Sequence, residues 1–152
     1  MTGDPGAPLA VPGDGAADPI GLVAGALSFA GAVGLALQAL VSFGVDVLKA
    51  GVPPAQQPSL TAPHALMLLL GTPAGMVLAG YAAWSVLAPI RNAWRQAMLA
   101  IVAGLGSFVF AALLIWPAHS YFGRAGLIGL AAGAGLAAGL IHRRIASRRA
   151  PR

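Results

Sequence analysis

The chain has 152 residues, 58% of them hydrophobic and only 9% charged, with a mean hydropathy of +0.81 and a net charge of +5. A soluble globular domain is about 45–50% apolar and about 25% charged. So few polar groups cannot cover a water-facing surface, which argues against a soluble enzyme or nucleic-acid-binding domain, and the apolar excess excludes disorder over the whole length. Cysteine and glutamate are both absent, and the four acids are Asp4, Asp14, Asp18 and Asp46. Disulfides, thiolate metal sites and cysteine nucleophiles are thereby removed. What remains is an all-α integral membrane protein.

Residues 1–19 contain four Pro, four Gly and three Asp, a composition that supports neither a helix nor a packed core. The stretch has no Lys or Arg to open a signal peptide. It reads as a disordered cytoplasmic tail. Residues 20–45 form the first expected span, uncharged and longer than the roughly 20 residues that cross ~30 Å of hydrocarbon. Gly51, Pro53 and Pro54 stop it, and a polar Pro-rich loop follows. The second span, 64–88, holds Gly71-Thr72-Pro73-Ala74-Gly75, where Pro73 removes a backbone donor and predicts a kink. A tight basic turn, Arg91 to Gln96, leads to the third span at 97–116, which Pro117 is expected to end. His119, Tyr121 and Arg124 fall in or beside the next turn. The fourth span covers 123–141, and the chain closes on a basic cytoplasmic tail at 143–152. The fold expectation is four transmembrane helices in a small up-down bundle over residues 20–142.

Four spans place the N-terminus, the 89–96 turn and the C-tail on one side. That side carries seven basic residues (Arg91, Arg95, Arg143, Arg144, Arg148, Arg149, Arg152), against Lys49 and Arg124 on the other. By the positive-inside rule both termini are cytoplasmic, which suits a bacterial inner membrane. Trp84 and Trp94 near one boundary, and Trp116 and Tyr121 near the other, suit interfacial anchoring.

Small residues carry the strongest pattern. Gly129 and Gly133, and Gly135 and Gly139, are spaced four apart in the fourth span. Gly21 and Gly25 repeat the spacing in the first, extended by Ser28, Ala32 and Ala36. Helices in lipid associate through close backbone approach, which small residues permit. Packing within the bundle is the ordinary use of such faces, and two separate glycine faces on one helix also suit docking against another subunit. Arg143, Arg144, Arg148 and Arg149 form a juxtamembrane segment suited to anionic lipid headgroups. His64 and His119 are the pair that could meet as heme or metal ligands, with Asp46 the one carboxylate near their depth on that side. No ionisable residue lies in the middle of a span, so proton-coupled transport and acid–base chemistry lack their usual groups. The expectation is therefore a small non-catalytic accessory subunit or assembly factor of a larger membrane complex, with no catalytic, cofactor or metal site. Its partners would be membrane lipids and other membrane subunits, with no nucleic acid. A holin-like pore former is the alternative, and a heme-carrying or enzymatic membrane protein is a third reading.

Overall fold

The computed structural model describes residues 19–51 and 62–149, with the side chains of 62–68 and 148–149 outside the description. The expected tail at 1–19 lies outside the described residues except for Pro19, and so does most of the Pro-rich loop. The described residues form three helices and no strand: α1 (Pro19–Ala50), α2 (Ala62–Val86) and α3 (Ala93–Arg149). All three are long and apolar enough to cross a membrane.

Local chemistry accounts for the helix ends. Pro19 opens α1, where a missing N–H costs nothing. Gly51 closes it with a bond from its N–H to the Leu48 carbonyl, 3.2 Å. Asn92 caps α3: its Oδ1 accepts from the Arg95 N–H at 3.1 Å. The short link between α2 and α3 is tied from within, because Gln96 Nε2 donates to the Trp84 carbonyl at 3.1 Å. Through Pro73, α2 stays helical. Gln38 of α1 is 6% exposed and donates to the adjacent Thr72 carbonyl at 2.9 Å, a polar tie between two apolar helices.

The expectation of four separate helices is corrected to three. Pro117 does not end a helix but lies inside α3. In lipid an interrupted backbone exposes unpaired polar groups, so helix continuation past a proline is the cheaper outcome. His119, Tyr121 and Arg124, expected in or beside a turn, therefore sit in helical structure. The chain reverses at Gly123 alone, with φ 56° and ψ −138°, a conformation open to glycine. No loop separates the arms of α3 that meet there, 93–122 and 124–149. The expected tail from 143 onward is likewise helical as far as Arg149.

The arms of α3 lie on either side of the reversal as neighbours. Leu35 of α1 shares a buried cluster with Ala111 of the first arm and Ala134 of the second. A larger cluster at one end joins Ala26, Ala30, Ala79, Ala83, Leu87 and Ala103, with Ile145 packed against it. The start of α1, the link between α2 and α3, and the end of α3 thus share one end of the molecule. The opposite end holds Asp46, Lys49 and Gly123.

Candidate functional site

The core is built from alanine and glycine, so its helices approach to backbone contact. A Cβ on Gly104 would stand 2.7 Å from the Met76 carbonyl oxygen, and one on Gly80 would stand 3.2 Å from that of Ala100. Gly34 faces Ser107, Gly71 faces Val41, and Gly75 faces the amide of Gln38, all too closely for a methyl group to fit without movement. On the second arm, Gly126 abuts the Ala118 carbonyl of the first, which lets the reversal close. Of these six, the sequence pattern marks only Gly126, on one helical face with Gly123, Gly129 and Gly133, although Gly71 and Gly75 also stand four apart.

The glycines singled out for docking lie elsewhere. Gly25, Gly129, Gly133, Gly135 and Gly139 have no atom within 4 Å of a built Cβ, and Gly21 is exposed. At roughly 100° per residue, Gly133 and Gly135 stand about 160° apart around the second arm. Gly129 follows Gly133 on one flank, and Gly139 follows Gly135 on the other. Between them, Leu136 and Leu140 are 72% and 67% exposed, as lipid-facing side chains should be.

One flank borders a cleft of about 740 Å³. Its floor is α1 at Ser28, Gly31 and Ala32, and its walls include Gly106 and Phe110 from the first arm and Gly133 from the second. The small-residue stripes of the first and fourth expected spans therefore meet here in part: Ser28 and Ala32 share a cavity with Gly133. The Gly135/Gly139 flank faces away from it.

The charged groups divide between the two ends. Arg91, Arg95, Arg143 and Arg144 are exposed at the end that holds Ile145. The side chains of Arg148 and Arg149 lie outside the described residues. His142 stacks near Phe29, ring centroids 5.8 Å apart. At the opposite end Arg124 Nε donates to Asp46 Oδ2 at 2.5 Å, and its terminal nitrogen donates to the Asp46 carbonyl at 3.2 Å. Asp46, Lys49, His119 and Trp116 line a cavity of about 310 Å³ there. The His64 side chain lies outside the described residues. Among the described residues no three His, Cys, Asp or Glu side chains gather in one place.

The arrangement offers two kinds of surface, a glycine flank open to another helix and a small-residue cleft with bases at its end. No protein-family model matches the chain, and no curated protein or solved structure is detectably similar to it.

Proposed function

We propose that this is a small non-catalytic accessory subunit or assembly factor of a larger membrane complex, docked through glycine-rich helix faces. The carrying observation is the division among its glycines. Gly34, Gly71, Gly75, Gly80, Gly104 and Gly126 are consumed by packing within the chain, while Gly129, Gly133, Gly135 and Gly139 leave backbone open at the surface. Close backbone approach is the chief source of helix affinity in lipid, so a glycine flank without an internal partner favours an external one. The Gly135/Gly139 flank is the face assigned to that partner.

In this reading the chain crosses the bilayer four times. At about 1.5 Å per residue a straight 57-residue helix would be roughly 85 Å long, far beyond ~30 Å of hydrocarbon. The reversal at Gly123 instead allots one crossing to each arm. Both termini then lie on the side of Arg91, Arg95, Arg143 and Arg144, the cytoplasmic one by the positive-inside rule. Lys49 and Arg124 are left on the other side, the latter neutralised by Asp46.

The test is affinity purification in mild detergent. Wild-type protein should bring down a stoichiometric set of membrane partners, and Gly135→Leu or Gly139→Leu should lose them while keeping native helicity and size. Both substitutions enter open space, so folding should survive. Undiminished partners in both variants would refute docking through this flank.

A further inference from the structure

We propose that the cleft between the arms of α3 binds an anionic phospholipid, one acyl chain lying in the cleft and the phosphate held at its mouth by Arg95 and Arg144. The cleft walls are hydrocarbon apart from two hydroxyls. That of Ser107, 3% exposed, is already committed to the Gly104 carbonyl at 2.7 Å. The occupant that suits such walls is itself apolar.

Depth separates a lipid tail from a partner helix. The cleft runs along the second arm from Gly133 to Ile141, eight residues or about 12 Å. At its inner end the lining residues Leu35 and Ala134 pack with Ala111 and close the space between the arms. A transmembrane partner needs a face about 30 Å long, whereas one leaflet of hydrocarbon is about half that. The cleft is about one leaflet deep, and its Ile141 end is the one nearer the basic residues.

Charge supplies the second half. Arg144 follows Ala137 by seven residues and Ile141 by three, which keeps it on the cleft flank of the second arm. Arg95 precedes Gly106 by eleven residues, three turns, nearly in line with it on the first arm. Both arginines are exposed, and neither has an ion-pair partner among the described residues. Arg144 stands three residues past Ile141, and Arg95 eight residues, about 12 Å, before Ala103. Two long unpaired side chains thus lie between the cleft and the basic end, where they complement a phosphate diester joined to a hydrocarbon tail.

The full chain is reconstituted in nanodiscs containing phosphatidylglycerol or phosphatidylcholine with a photoactivatable group midway along one acyl chain, and crosslinks are mapped by mass spectrometry. Phosphatidylglycerol should label the cleft walls around Phe110 and Ala137 in preference to lipid-facing Leu136 and Leu140. Gly133→Leu, whose Cβ meets no protein atom within 4 Å and whose side chain would occupy the cleft, should abolish that preference. Arg95→Gln with Arg144→Gln should reduce retention of the anionic lipid about 25-fold, from about fivefold for each arginine. Gly135→Leu, on the docking flank, should change none of this, so loss of a protein partner and loss of the lipid are read separately. Equal labelling by both lipids in the wild type, uniform labelling of all exposed surfaces, unchanged retention in the double arginine variant, or crosslinking of the cleft walls to another polypeptide would each overturn the assignment.

Discussion

Replacing Gly104 by alanine adds a methyl group that would stand 2.7 Å from the Met76 carbonyl oxygen and 3.4 Å from the Gly80 Cα and N. All three are backbone atoms of α2, so no rotamer change relieves the clash and the two helices must separate. Overpacking of this kind costs about 1–3 kcal/mol. Two residues along, Gly106 has nothing within 4 Å of a built Cβ, and the same substitution there meets open space. Unfolding in sodium dodecyl sulfate leaves helices largely formed, so the difference in helix propensity between Gly and Ala cancels at both sites. Gly104→Ala should therefore be less stable than Gly106→Ala by about 1–3 kcal/mol, at about 1.4 kcal/mol per tenfold in the equilibrium constant. The measurement is a detergent titration of purified protein, followed by the fluorescence of Trp84, Trp94 and Trp116 and checked by refolding. Midpoints that coincide for the two variants would refute direct backbone contact between α2 and the first arm of α3.

Gly123→Ala should destabilise by about 1–3 kcal/mol through backbone strain alone, since the residue holds φ 56° with no atom near a Cβ; the same titration reads it, and a neutral effect would mean that the arms do not reverse there. Asp46→Asn, Arg124→Gln and the double variant should give a coupling of roughly 0.5–1 kcal/mol that shrinks as salt is raised, because the two side chains are 26% and 48% exposed. Zero coupling at low salt would remove the ion pair from the account of the reversal. Compartment reporters fused at Met1 and after Arg152 should both report the cytoplasm; opposite compartments would leave an odd number of crossings.

The apolar segments were legible in the sequence because bilayer thickness demands length, and uncharged runs of that length have few other uses. The first two boundaries differ from the observed helices by a few residues. The reversal was not legible where it occurs. Pro117 looks like a stop, yet with no water to solvate freed carbonyls the helix runs on to Phe122. The residue that does break it, Gly123, is one of 21 glycines and carries no distinguishing neighbour. Among candidate sites, the regular four-residue spacing drew attention to surface glycines. The packing glycines were missed because their partners are on other helices: Gly80 opposes Ala100 and Gly104, and Gly34 opposes Ser107. Gly126 carried a readable spacing with Gly123, Gly129 and Gly133, and so did Gly71 and Gly75, the latter pair hidden by the proline between them. Asp46 and Arg124 lie 78 residues apart; four crossings put both at one end, but their pairing depends on how α1 packs against α3, which no local pattern records.

A connection made of one non-helical residue leaves the second arm of α3 two torsional degrees of freedom relative to the first. The arm acts as a lever pivoted at Gly123. Ile141 stands 18 residues from the pivot, about 27 Å along the axis, so a 5° adjustment of the hinge displaces the cleft mouth by roughly 2 Å. A longer connector would absorb such a change in its own slack. Here the width of the mouth in one leaflet is geared to the backbone angles of a single glycine in the other, and Leu127, Ala131 and Ala134, buried along the arm, hold the lever in place.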